Sequence, residues 1–277
     1  DLTDAEQYAP DNDNSDRTKM TKTVAQAMLA KVYAEKEVQD YDKVIAYADK
    51  VMKTTGVELE DSYETLWGYD ETAKDCVKRN TKEGILEVHW TTGSGNWETW
   101  MYGRQLDNWD YYFTWAKWIT PSRDIINDFD KEGDEVRKNQ AIVYYACTWS
   151  NYYPASNYPF MYKLRSSYNN IYWVRLADII LMKAEAEAYK GNLAESAKLV
   201  NQIRKRAKLK ELTSDKTGSK ESMIEAVLHE RRLELAFEGE RWFDLCRNNK
   251  VEQYLNGIDN RDSGRIRQVR QFDGNSY

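Results

Sequence analysis

The stretch "HERRLELAFEGERWFDLCR", residues 229 to 247, sets nine charged side chains among nineteen positions and threads Leu233, Leu235, Phe237, Trp242, Phe243 and Leu245 between them. It reads as the continuation of a long helix that opens at Ser219 or Ser222 and carries Met223, Ile224, Val227 and Leu228 on its apolar side. On one helix Glu230, Glu234 and Glu238 follow each other at i,i+4 spacing with Arg231 and Arg232 beside them, so pairing within and between helices is natural. A zinc-protease helix needs a second His four residues after His229, where Leu233 stands. Two glutamates a turn apart also suit glycosidic chemistry, but arginines at hand favour ion pairing, because a guanidinium takes a carboxylate bidentately and tolerates burial. The stretch is a structural lock rather than an active site.

Working outward, residues 172 to 209 form a helical hairpin turned at Gly191 and Asn192. A second helix pair covers residues 21 to 56: Val24, Ala25, Met28, Leu29, Val32 and Tyr33 recur at helical spacing, then Val44, Ile45, Ala48 and Val51, with Gly56 ending the second helix. The pair is similar to a tetratricopeptide unit with a longer turn. A shorter helix takes Pro121 in its first turn, uses Ile125, Ile126 and Phe129 as its apolar side, and stops at Gly133. Residues 82 to 90, "KEGILEVHW", read as a short extended segment.

Between these elements lie two aromatic segments. Residues 91 to 118 hold five Trp and three Tyr among Gly, Ser, Asn and Asp, without helical or strand period, and residues 148 to 160, "TWSNYYPASNYPF", form a second aromatic loop. A sugar ring stacks its C–H face on an indole or phenol, while its hydroxyls take amide, carboxylate or guanidinium partners. The candidate glycan contacts are therefore Trp97, Trp100, Tyr102, Trp109, Tyr111, Tyr112 and Trp115, with Asn96, Arg104, Asp107 and Asn108 as polar partners. The same aromatics would also serve to anchor a long loop to the helical body.

The totals narrow the function classes. The chain has 277 residues, 41% of them apolar, which suits one or two globular domains. A net charge of −6 without a basic cluster argues against nucleic acid. Cys76, Cys147 and Cys246 lie far apart, no CxxC occurs, and His89 and His229 are the only histidines, so neither a metal site, a cofactor nor a catalytic centre is expected. Residues 11 to 16, "DNDNSD", resemble the start of a calcium loop, but Asp16 and Lys22 occupy the positions that require Gly and Glu, so a solvated linker is expected. No apolar run spans a bilayer.

The signature 230–247 resembles the C-terminal motif of the SusD/RagB family, and "YWVRLADIILMKAEAEAYKGNLAESAKLVNQIRKRA", residues 172 to 207, resembles its preceding segment. Residues 17 to 52 and 119 to 137 are similar to two earlier segments, in the family's order. The resemblance implies an all-α fold of tetratricopeptide-like helix pairs supporting long irregular loops, in one domain over 1–277 with helix pairs at about 21–56 and 172–248. It implies a surface lipoprotein of the outer membrane, not an enzyme, which captures oligosaccharide or polysaccharide and passes it to a SusC-like TonB-dependent transporter. The membrane is reached only through an N-terminal lipid anchor. Typical members are longer and close with Pro-Ile-Pro and Asn-Pro, whereas "QVRQFDGNSY" ends this sequence, so an incomplete family domain is expected. Two competing readings are a tetratricopeptide-type adaptor for peptides, which calls for polar, basic groove-lining faces, and an all-α glycoside hydrolase using Glu98, Asp107 or Asp110.

Overall fold

The computed structural model describes residues 1–90, 119–147 and 153–256. Helices dominate. After α1 (Leu2–Tyr8) comes the first long pair, α2 (Lys22–Ala34) and α3 (Tyr41–Met52). The Thr21 hydroxyl accepts the Val24 amide and the Asp40 carboxylate that of Lys43, so each helix opens on a side chain that satisfies an otherwise orphan N–H. The second helix ends at Met52, earlier than the glycine signal suggests. Gly56 instead makes a positive-φ turn (79°) beyond it, and a side chain there would run into the Asn14 carboxamide.

A short helix α4 (Tyr63–Trp67) precedes the hairpin β1 (Tyr69–Asp70) and β2 (Asp75–Cys76), and β3 (Gly84–Val88) supplies the expected extended segment. Beyond residue 118 come α5 (Arg123–Glu132), α6 (Glu135–Ala141), β4 (Ile142–Tyr145), β5 (Tyr158–Met161) and β6 (Ile171–Arg175). Pro121 stands ahead of α5 rather than inside it. Ser122 is the cap, its hydroxyl taking the Ile125 amide, while Gly133 closes the helix in the left-handed region as its sequence position predicts.

Two expectations need correction. Residues 158 to 160, read as loop, belong to a strand paired antiparallel with β4, Tyr145 opposite Tyr158. Residues 171 to 175, read as helix start, form β6, antiparallel to β3 with Glu87 opposite Tyr172. Short apolar runs do not declare their period. The partner strand decides, by taking up the backbone hydrogen bonds that one extended segment cannot satisfy alone.

β6 runs directly into α7 (Leu176–Tyr189), which pairs with α8 (Leu193–Arg206), then α9 (Ser214–Thr217), α10 (Lys220–Glu234), α11 (Arg241–Arg247) and α12 (Val251–Leu255). Ser219 and Ser222 both serve at the start of α10, as the two halves of a capping box. α7 is the axis of the molecule: every residue from Leu176 to Ala188 is buried. Its apolar side chains join Val24, Ala48 and Val51 of the first pair, Leu199, Val200 and Ile203 of α8, and Met223 and Val227 of α10 in one core.

α7 carries charges into that interior, and Asp178, Lys183 and Glu185 each meet an opposite charge, while Glu187 accepts from the Asn192 carboxamide. Asp178 lies 2.8 Å from Lys31 and 2.7 Å from Arg231, Lys183 lies 2.7 Å from Asp49, and Arg247 donates to both Glu185 oxygens at 2.8 and 2.7 Å. Buried pairs of this kind repay their desolvation only in one geometry, so they fix helix register more than they add net stability. The architecture is the expected all-α one, helix pairs around a buried axis, with three two-stranded sheets at its margins among the described residues.

Candidate functional site

The opening stretch folds as two helices, not one. α10 ends at Glu234, Phe237 and Gly239 adopt positive φ (66° and 90°), and α11 starts at Arg241. The turn swings Glu238 back beside Glu234, and both face the end of β6. Arg175 donates from Nη1 to Glu234 Oε1 and Glu83 Oε1, both at 2.7 Å, and from Nε to Glu238 Oε2 at 2.7 Å. Arg206 Nη2 reaches Glu234 Oε1 at 2.6 Å, while Arg137 Nη1 and the Tyr63 hydroxyl reach Oε2 at 3.2 and 2.6 Å. Glu230 is shared by Arg137 at 2.7 Å and Arg204 at 2.9 Å. Burial works against the Glu234 charge, but the guanidinium groups of Arg206, Arg175 and Arg137 outweigh it and hold the carboxyl well below the usual range. The Glu234 carboxylate is thus committed to ion pairing. The lock is there, with partners from several other parts of the chain.

Its apolar flank differs from expectation. Leu245 is buried, but Trp242 and Phe243 are 46% and 52% exposed on the outer face of α11. The side chains opposite the axis of a short surface helix face water whatever their type.

Asn96, Trp97, Trp100, Tyr102, Arg104, Asp107, Asn108, Trp109, Tyr111, Tyr112 and Trp115 lie outside the described residues, as do residues 148 to 152. Their flanks are well defined. Thr120 Oγ1 donates to the Pro159 carbonyl and the Tyr153 hydroxyl to the Pro121 carbonyl, each at 2.7 Å, so residues 120 and 121 are stitched to residues 153 and 159. Around that seam Tyr153, Tyr158, Phe160 and Tyr145 meet edge to face, with centroids 5.2 to 6.3 Å apart. Lys163, just after β5, is drawn into the lock by Glu238 at 2.5 Å and the Glu234 carbonyl at 2.9 Å.

At the other end of the long segment, Arg79 Nη2 donates to the Trp90 carbonyl at 2.8 Å, the Tyr168 carbonyl at 3.3 Å and Asp75 Oδ1 at 2.7 Å. Beside it His89 Nε2 lies 2.7 Å from Glu87 Oε2. Asp75, Arg79 and His89 border a cleft of about 280 Å³ that Ala73, Lys74, Trp90 and Tyr168 also line. Cys76 lies behind it, its thiol pushed up to about 12 by burial and therefore neutral.

Sequence reasoning passed over Arg79, Trp90, Tyr168 and Trp173. Trp173 is 62% exposed between buried Tyr172 and Val174, so strand alternation would have found it once β6 was read as a strand. Arg79 carries no local signal. Its partners come from three other turns of chain. Asn12 and Asn14, at the resemblance to a calcium loop, give their side-chain oxygens to Arg17 instead of a cation. Among the described residues no group of His, Cys, Asp or Glu is arranged to hold a metal, and no helix is long and apolar enough to cross a membrane.

Comparison with known proteins agrees with this architecture. The SusD family model matches residues 156–273. A SusD-like protein, P38, from Formosa agariphila is 39% identical over 103 residues, 35% of this chain and 20% of that protein. A SusD superfamily protein from Bacteroides vulgatus superposes with a TM-score of 0.71 at 24% identity, over 97% of this chain and 61% of that one. A laminarin-binding SusD-like protein superposes with a TM-score of 0.70 at 23% identity, over 92% of this chain and 61% of that one. The chain thus spans about three fifths of these solved relatives and a smaller share of the curated one. The signature, the preceding helical hairpin and the fold thus agree in their similarity to SusD-like proteins, with the family match confined to residues 156–273.

Proposed function

We propose that the protein captures oligosaccharide or polysaccharide at the outer-membrane surface and delivers it to a SusC-like TonB-dependent transporter, without acting on the glycan chemically. The observation that carries this reading is the mounting of the two Trp- and Tyr-rich segments. The described residues that flank them are joined by the Thr120–Pro159 and Tyr153–Pro121 hydrogen bonds, on a body held rigid by buried ion pairs. Rigid roots lower the ordering cost of binding, and indole and phenol faces supply stacking surface for sugar rings. The laminarin-binding relative of the same fold supports a glycan as cargo and suggests a first probe.

Within this proposal the candidate contacts keep their roles: Trp97, Trp100 and Trp109 as stacking platforms, with Asn96, Arg104, Asp107 and Asn108 as hydroxyl partners. A lipid anchor and the transporter rest on the family resemblance and belong to the same proposal, as does the organisation of residues 1–277 as one domain. The test is calorimetry of the full-length protein with laminarin and a panel of other glycans, alongside Trp97→Ala, Trp100→Ala and Trp109→Ala. At least one substitution is expected to weaken binding by roughly 5- to 150-fold, the scale of one lost ring stack. Unchanged affinity in all three would move the site away from this segment, and release of reducing ends would overturn the non-enzymatic reading.

A further inference from the structure

A groove of about 620 Å³ is lined by α5, the α10–α11 turn, α11 and α12. Ile125, Leu235, Phe237, Trp242 and Leu255 give it an apolar lining. Phe237 and Leu255 are only half-buried and Trp242 is 46% exposed, so part of that lining faces water. The charged groups at the groove already have partners. Arg232 lies 2.6 Å from Asp128 and Asp244 lies 2.9 Å from Arg231, while Arg241 donates to the Leu228 carbonyl at 3.3 Å and sets its guanidinium 4.7 Å from the Tyr254 ring centroid. What the groove lacks is apolar filling rather than a counter-charge, because apolar lining left in water forgoes the free energy of burial.

The chain itself supplies an occupant of that chemistry. It leaves α12 at Leu255, on the groove's own wall, and continues as residues 257–277, which lie outside the described residues. There "RIRQVRQF", residues 265 to 272, sets Ile266, Val269 and Phe272 at every third position among arginines and glutamines, the pattern of a segment with one apolar side. The link from Leu255 to Arg265 can span up to about 33 Å, so it does not restrict where the segment docks. Tethering beside the groove holds the segment at a local concentration on the order of millimolar, ahead of a free partner. The SusD family match, which takes in α7 to α12, runs on through this segment to residue 273.

We infer that residues 265–272 of this chain occupy the groove, with Ile266, Val269 and Phe272 as the side chains that fill it. Seated there, the segment ties the chain after α12 back to α5 and closes the groove to other partners. This seat does not depend on what the protein captures. Its docking is a local equilibrium distinct from global unfolding, so proximity and exchange report it where melting temperature does not.

The test uses the full-length protein carrying Cys246→Ser and Asp124→Cys, the latter on the α5 side of the groove. These are combined with Val269→Cys, with Ser263→Cys as a tethered control, or with Trp109→Cys in the first aromatic segment, and disulfide formation under mild oxidation is followed by mass spectrometry. A bridge forms only where the two Cβ atoms come within about 4.5 Å. The pair with Val269→Cys is expected to close at least about tenfold faster than the pair with Ser263→Cys, and Phe272→Asp to return it to the control rate. Equal rates at 263 and 269, or faster closure with Trp109→Cys, overturn the inference, the latter by giving the groove to the aromatic segment. Hydrogen exchange supplies a reading that leaves the groove's lining unaltered: the amides of residues 265–272 should exchange at least about tenfold faster in Phe272→Asp than in the parent protein. Exchange that does not differ between the two overturns the inference as well.

Discussion

Arg175, the last residue of β6, and Glu234, the last of α10, meet at 2.7 Å with side chains 1% and 0% exposed. This contact joins the strand that enters the central helix to the helix that carries the family signature. It is surrounded by Arg206, Arg137 and Tyr63 on the same carboxylate, so one anion balances several cations.

Removing that anion should be severe. Glu234→Ala leaves Arg137, Arg175 and Arg206 short of a buried counter-charge, and loss of one member of such a set costs about 3 to 5 kcal/mol. Urea denaturation followed by circular dichroism measures it. A loss under about 1 kcal/mol would mean that water or a neighbouring carboxylate replaces Glu234 easily.

Acid should release a second, outer contact. Glu132 is held down from 4.5 to about 2, chiefly by its hydrogen bond with His229 and, against the opposing effect of burial, by Arg204. A carboxyl depressed in the folded state stabilises above its unfolded value and loses that contribution as pH falls toward the folded one. Glu132→Gln should therefore cost on the order of 1 kcal/mol near neutrality, after solvent screening. The gap from the parent protein should close as pH drops from about 4.5 to about 2. A gap that does not vary with pH would assign the effect to packing.

The start of α10 offers a local test. Ser219→Ala removes the oxygen that accepts the Ser222 amide at 3.1 Å and breaks the reciprocal cap. A loss of about 0.5 to 2 kcal/mol is expected, visible as a lower melting temperature. Ser219→Asp should restore most of it, because the carboxylate accepts the same amide and favours the helix dipole.

The two sides of α11 should behave oppositely. Leu245→Ala empties a site 2% exposed and should cost about 2 to 5 kcal/mol. Trp242→Ala and Phe243→Ala, at sites 46% and 52% exposed, should each change stability by less than about 1 kcal/mol. Comparable losses at all three would place the aromatics in contact with another part of the whole protein.

The sequence alone determined the features that depend on near neighbours. Helical periodicity located both long pairs, Gly133 and Gly191 marked ends that the structure keeps, and the density of Glu and Arg in residues 229 to 247 identified a lock and excluded a zinc helix. The aromatic segments were legible as composition, although their contacts fall outside the described residues.

Tertiary structure decided what depends on distant partners. The signature splits into two helices because the chain must turn at Phe237 and Gly239 to bring Glu238 beside Arg175, 63 residues away. β5 and β6 became strands because β4 and β3 lie alongside to take their hydrogen bonds. Tyr63 and Glu234 meet across 171 residues, and Arg79 holds Trp90 and Tyr168 together, pairings with no local pattern to announce them. Residue spacing encodes a periodicity, which neighbours along the chain can satisfy. The choice of which buried cation neutralises which buried anion is made only when the desolvation of both charges has to be offset in one place.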